Sequence, residues 1–509
     1  MKAKIIAFMA LAILSVSCSD FLEEEPQSSL TAVQAYGSLK KIEPVLLGAI
    51  TTWRNMQKDR AGLYTSLGTD EAQQGTYQVI GDANQAGLDL YNGFLSQENQ
   101  PIGQLWNDRW PVIEVAAQSI RALGVNTEED SAKRDLLLGE SSFLRATLMF
   151  ELTQYWGEIP INDKARIEEF GLKRQPLDLV YSYIVADLER AIEKLPETQS
   201  NPAFPAKGVA QALLGKVYLY APVASGYRDY NKAKQWFGAV INSGKYSLLA
   251  NYADVFDPAF ANSSESIYEW QYTNNYPDNN QIQWQTGSRV LANIDQYCYF
   301  GGYDLILPTQ YCYKDQTDGG LWEGGDKRKD VSIRYDFTYN GTVPTLPAGL
   351  GGDELDPHIK KYEDIRVQGS QSFWNSGKNK AFIRYADVLL CYAEVLNELG
   401  DTGQAEGYVN QVRTRGFGGS LPAGMAWSGL SQNEFRTRIM DERMRELAFE
   451  GWRRMDLIRT GHLVEYVKAR NKWAKQNGTI AEFHNLYPIP LGEIKLNDEI
   501  GPEDQNPGY

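Results

Sequence analysis

Asp70 and Glu71 stand side by side in a stretch rich in amides and tyrosines, and paired carboxylates are the first arrangement in this chain that could do chemistry. Glycoside hydrolysis needs two carboxyls flanking one bond, with pKa values pushed apart. Adjacent residues point in different directions, and 65 Asp and Glu guarantee accidental neighbours, so this pair does not define a catalytic centre. The three histidines, His358, His462 and His484, are scattered, and no Cys or His cluster has metal-ligand spacing. No GxSxG elbow, HExxH helix, GxxxxGK[ST] loop or GxGxxG turn is present. "DQTDGG", Asp315 to Gly320, lacks the ligand spacing and distal glutamate of a calcium loop and reads as a turn. No catalytic residue, cofactor or metal is expected; the chain reads as a binding protein.

What the chain offers a ligand is aromatic. Residues 64–104 and 270–380 are rich in Gly, Asn, Gln and Asp with interspersed Tyr and Trp, and they lack the aliphatic periodicity that would bury those rings. Irregular segments of this length inside a compact body are commonly functional. A ring with its face open to water can stack on the C–H face of a sugar while neighbouring Asn, Gln, Asp, Glu or Arg meet the hydroxyls. Some of these rings are expected instead to staple the loops down. The formal charge of −15 opposes nucleic acid and anionic lipid head groups, and a neutral guest is the easier fit.

The elements that must position these loops are helices. "AKRDLLLGESSFLRATLMFELTQYWGEIP" carries apolar residues at three-to-four spacing from Leu136 to Tyr155 and ends at the stop signals Gly157 and Pro160. The next segment puts Tyr181, Ile184, Leu188, Ala191 and Leu195 on one face. "VAQALLGKVYLYA" and "NKAKQWFGAVINSG" form a pair with Gly215, Tyr218, Ala233 and Phe237 placed as in a tetratricopeptide repeat, and "IRYADVLLCYAEVLNELG" with "GQAEGYVNQVRTRG" forms another. The expected fold is mostly α-helical, a tetratricopeptide-like scaffold of helix pairs with a loop-rich ligand-binding portion. Cys391 lies in an apolar run and reads as a buried thiol. Cys298 and Cys312 could bridge a loop, since export makes disulfides possible.

Export itself is written at the N terminus. Lys2 and Lys4 precede an apolar run from Ile5 to Leu14, about half the length a membrane-crossing helix needs, so residues 1–17 read as a cleaved signal peptide. Leu14-Ser15-Val16-Ser17-Cys18 resembles a bacterial lipobox, which would make Cys18 the acylated first residue of the mature chain; a plain signal peptide cut nearby is the alternative. Acyl chains at Cys18 would tether the body to lipid without embedding it. Residues 18–30 form the lipidated leader, and Ser19-Asp20 with Glu23 to Glu25 resemble the acidic export signal of surface lipoproteins in Bacteroidetes-type bacteria; a solvated acidic leader is the plainer reading.

"MDERMRELAFEGWRRMDLIRTG", residues 440–461, alternates Glu, Arg and Asp with Leu447, Phe449, Trp452, Met455 and Leu457. Exposed pairs three or four residues apart contribute only a few tenths of a kcal/mol each, so a run this dense reads as a partly buried network locking helices together. With "YADVLLCYAEVL", "VNQVRTRG", "YWGEIP", "ESIYEWQY" and the terminal "YPIPLGEIKLNDEIGPEDQNPGY", it closely resembles the SusD/RagB family of outer-membrane nutrient-binding lipoproteins, in register from the lipobox to Tyr509. The resemblance implies about four tetratricopeptide-like units, an N-terminal part over 31–262 and a C-terminal part over 263–509 with variable loops and the final helix pair. It implies a cell-surface lipoprotein that captures an oligosaccharide and delivers it to a SusC-like TonB-dependent transporter, or, as in the RagB-like minority, a peptide. Ligand residues transfer only by region, to the excursion after "TDE" and the loops after "ESIYEWQY". There the stacking candidates are Tyr77, Tyr91, Tyr276, Trp284, Tyr299 and Tyr303, with Asp70, Asn92 and Arg289 as polar partners. Trp106 and Trp110 match a structural position and are left out of the site.

Overall fold

Apolar spacing of three to four residues becomes helix throughout the computed structural model, which describes residues 35–126, 130–162, 171–289, 302–335, 337, 356–367 and 375–509. In chain order the helices that matter are α1 (Leu39–Asn55), α2 (Thr76–Gly81), α3 (Ala83–Leu90), α4 (Trp110–Val125), α5 (Ser131–Trp156), α6 (Leu177–Lys194), α7 (Lys207–Tyr220), α8 (Tyr230–Asn242), α9 (Ile282–Thr286), α10 (Tyr385–Glu398), α11 (Thr402–Gly416), α12 (Gln432–Leu447) and α13 (Arg453–Arg459). Strands are few and short: β1 (Ala72–Gln73), β2 (Ser266–Trp270), β3 (Leu307–Pro308) and β4 (Lys380–Arg384) among them. Among the described residues no helix is long and apolar enough to cross a membrane.

Local chemistry sets the helix ends. Asp130 caps α5 by accepting from the Ala132 and Lys133 amides, satisfying donors that the first turn leaves unpaired. The helix stops where Gly157 turns to φ +76°, at the expected stop signal. On α6 the face formed by Tyr181, Ile184, Leu188 and Ala191 is fully buried.

The helices stack in sequence, α4 on α5, α5 on α6, α6 on α7 and α7 on α8. The chain then leaves the stack for more than 140 residues and returns with α10 laid directly against α8, followed by α11 and α12. Antiparallel pairing of β2 with β4, from Ser266 opposite Arg384 to Trp270 opposite Lys380, closes the base of that excursion. Close approach within a pair depends on missing side-chain volume: a Cβ on Gly215 of α7 would lie 2.7 Å from the Phe237 ring of α8. Any larger residue would force the helices apart.

The 440–461 segment is indeed a buried ionic lock. Arg328 meets Asp326 through Nη2 at 2.7 Å and Glu442 and Glu446 through Nη1 at 2.8 and 3.1 Å. Arg384 meets Glu265 and Glu450 at 3.0 and 2.8 Å, and Arg443 meets Asp387 and Asp456 at 3.0 and 2.9 Å. Burial raises the Glu446 carboxyl, but Arg415, Arg384 and Arg328 outweigh it and bring the pKa down to about 2. Breaking one buried pair strands its partner charge, so this network ties β2, β4, α10, α11, α12 and α13 into one unit. Cys391 lies inside it as a buried free thiol. Cys312 is likewise buried and free, while Cys298 lies outside the described residues.

Candidate functional site

Two excursions meet at one face. The β1–β3 pairing, Ala72 opposite Pro308 and Gln73 opposite Leu307, brings the chain after Gln73 alongside the chain before Leu307. Gly75 donates its amide to the Asp304 carbonyl at 3.0 Å, and the Gln78 side chain donates Nε2 to the Tyr303 carbonyl at 2.6 Å. Residues 302–305 fold back on α9: Tyr303 N donates to Trp284 O at 2.8 Å, and Leu305 N to Gln285 O at 3.0 Å. Gly302 makes this return possible, because a Cβ there would lie 2.4 Å from the Trp284 carbonyl oxygen. Beneath, Asp304 Oδ1 accepts from the Arg289 amide at 2.9 Å and meets His358 Nε2 at 2.8 Å.

The result is a platform. Trp284 and Tyr303, both half-buried, lie with ring centroids 6.5 Å apart and planes tilted by 48°. Tyr77 projects from α2 and keeps 43% of its surface in water. Arg289 covers one face of Tyr77 with its guanidinium 3.4 Å from the centroid, and Arg60 lies 4.9 Å over Tyr303. The backbone of the Arg60 loop is held to the base of α9 by Gln281 N donating to Lys58 O at 2.6 Å. The arrangement sets tyrosine and tryptophan rings beside guanidinium groups.

Of the expected site residues, Tyr77, Trp284, Arg289 and Tyr303 are brought together; Tyr299 and the anchor Cys18 lie outside the described residues. Asp70 is not a ligand group. It is fully buried, and it accepts from Arg453 Nε and Nη2, both at 2.7 Å, and from Arg470 Nη1 at 2.8 Å. Burial favours its neutral form, but Arg453 and then Arg470 hold its carboxyl below the usual range. Glu71 beside it is buried with Oε1 unpartnered among the described residues, and burial pushes it up to about 8. Tyr91 is also interior, 1% exposed, donating its hydroxyl to Gly68 O and accepting from Arg454 Nη1 at 3.0 Å. It is a loop staple. Asn92 closes a local turn by accepting from Phe94 N at 3.1 Å. Tyr276 is 83% exposed but sits on a separate turn, closed by Thr273 N to Asp278 O and moored by Arg54 to Asp278 at 2.7 Å.

Trp106 has the structural role expected of it: it is buried edge-to-face against Trp110 and Trp156, with Nε1 donating to Glu493 at 3.0 Å. Two concavities lie elsewhere. One of about 900 Å³ is walled by Lys173, Arg174, Glu499 and Asp504 without an aromatic ring, and one of about 620 Å³ lies around Trp110, Leu172 and Leu496.

Residues 255–509 match the model of the SusD family. The chain belongs to the SusD family. Residues 20–219 match a second model, described as "Starch-binding associating with outer membrane". A SusD-like protein of Formosa agariphila is 29% identical over 535 residues, covering 100% of both chains. The starch-binding protein SusD of Bacteroides thetaiotaomicron is 24% identical over 506 residues, covering 87% of each. Among solved structures, a SusD homologue from Bacteroides thetaiotaomicron superposes with TM-score 0.77 at 23% identity, covering 94% of this chain and 99% of that one. A laminarin-binding SusD-like protein superposes with TM-score 0.74 at 23% identity, covering 92% and 99%.

Arg60 and Gln78 join the platform without having been foreseen. Arg60 stands just before the first excursion, in "KDRAGLYTS", with nothing in its neighbours to mark it. Gln78 is one of many amides in a Gln-rich stretch, and only the fold brings it under Tyr303.

Proposed function

We infer that this SusD-family chain is a non-catalytic glycan-binding protein of the outer membrane, which captures an oligosaccharide on the Tyr77, Trp284 and Tyr303 platform and passes it to a SusC-like TonB-dependent transporter. The observation that carries this reading is the tilted, half-buried Trp284–Tyr303 pair with the Arg60 guanidinium beside it. An apolar ring face with polar groups at its rim matches the two-sided chemistry of a sugar. Starch and laminarin binding in the relatives supports the ligand class, and the second family model supports association with the outer membrane. Acylation at Cys18 would provide the anchor.

Titration of the purified body with a panel of oligosaccharides, alongside a mixed peptide pool, tests the ligand. Binding of one glycan class, weakened at least about tenfold, or roughly 1.4 kcal/mol, by Trp284→Ala, is the expected result. Leu496→Asp, in the groove beside Trp110, should leave binding unchanged; loss there with retention in Trp284→Ala would move the site to that groove. Retention of peptides in place of glycans would establish the RagB-like alternative. Cys18→Ala should release the protein from the membrane fraction, and copurification with a TonB-dependent transporter tests delivery.

A further inference from the structure

Resting on the glycan reading, we propose that the platform selects a carbohydrate bearing an anionic substituent, a uronate carboxylate or a sulfate ester, received by the Arg60 guanidinium while the sugar ring stacks on Trp284 and Tyr303.

The overall charge of −15 argues for a neutral guest, but the local arrangement does not. Arg60 is half-buried, lies 4.9 Å over Tyr303, and donates Nη1 to the uncharged Gln85 Oε1 at 3.3 Å. Among the described residues it forms no ion pair, unlike the arginines of the buried lock. Asp59 Oδ1 accepts from Ala61 N at 3.2 Å and Asp82 Oδ1 accepts from Gln85 N at 3.0 Å, and among the described residues neither pairs with Arg60. Asp304, under the platform, faces His358. Arg289 lies over the neighbouring Tyr77 ring.

Range decides between the two fields. At physiological ionic strength charges beyond about 8 Å are largely screened, so the distant carboxylates that make the body acidic weigh little at contact. A guanidinium's planar donor fork matches the geometry of a carboxylate or sulfate in a bidentate contact. Stacking on Tyr303 also lowers the entropy lost on binding, because the side chain is already ordered.

The test uses the acyl-free full body and isothermal titration with laminarin and amylopectin as neutral probes, polygalacturonate and alginate as uronate probes, and κ-carrageenan as the sulfate probe. The expected result is binding of a uronate or sulfate probe at least tenfold tighter than the neutral ones, falling with added salt. Arg60→Gln should weaken that binding tenfold or more and flatten the salt dependence, while Arg60→Lys should restore part of it. The probe class that binds distinguishes carboxylate from sulfate. Equal or tighter binding of the neutral probes, or an unchanged affinity in Arg60→Gln, overturns the proposal and leaves the glycan reading intact. Failure of every glycan to bind overturns both.

Discussion

Asp70 and Arg453, 383 residues apart in the chain, meet in a bidentate pair with both contacts at 2.7 Å. The pair fastens the start of the first excursion to α13, two residues before β1, and Arg470 adds a third contact to the same carboxylate. It is a foundation of the platform rather than part of its surface.

Asp70→Asn should therefore destabilise the protein by about 3–5 kcal/mol, the cost of leaving buried guanidinium charge uncompensated. Chemical denaturation reads the loss directly. Ligand affinity of the protein that remains folded should change far less than in Trp284→Ala, and an equal loss of affinity would return Asp70 to the binding surface.

Gly302→Ala tests how the platform is assembled. The added Cβ would collide with the Trp284 carbonyl, so the return segment must shift, at a cost of about 1–3 kcal/mol. Because Tyr303 and Trp284 are the pair displaced, affinity should fall even at temperatures where the protein is fully folded. Unaltered affinity would show that the ring geometry does not matter.

Acid should loosen the ionic lock. Glu446 has a folded pKa of about 2, against roughly 4.3 in an unfolded chain, so its stabilising contribution is complete above the unfolded value. It is lost as pH falls towards the folded one. The urea midpoint should drop between pH 5 and 3. Glu446→Gln should be weaker at pH 7 and show a flatter acid profile.

Glu140 runs the other way. Burial raises its carboxyl to about 8, only partly offset by the hydrogen bond that Gln199 donates at 3.1 Å. Stability from keeping it protonated is complete below the unfolded pKa and disappears as pH rises to about 8. Glu140→Gln should match the parent near pH 4 and be the more stable at pH 8, by an amount on the order of 4 kcal/mol. A lower melting temperature at pH 8 would show that the charged form is accommodated.

The sequence alone determined the helical scaffold, because that information is local. Apolar spacing on α6, the stop at Gly157 and the small residue at Gly215 are each readable within a turn or two of helix, and each took the role its spacing implied. The dense charge of residues 440–461 was legible as a buried network because no exposed helix gains enough from such a run. The site was legible only as two regions. Composition could not separate Tyr77, which faces water, from Tyr91, which staples a loop, since both are tyrosines in the same amide-rich stretch. It could not show that Asp70 would find Arg453, or that Arg60 would lie over Tyr303. Those outcomes depend on contacts between residues hundreds of positions apart, created when α10 returns to α8 and β1 pairs with β3. Which face of a loop side chain is covered has no period to betray it, and only the tertiary structure decides.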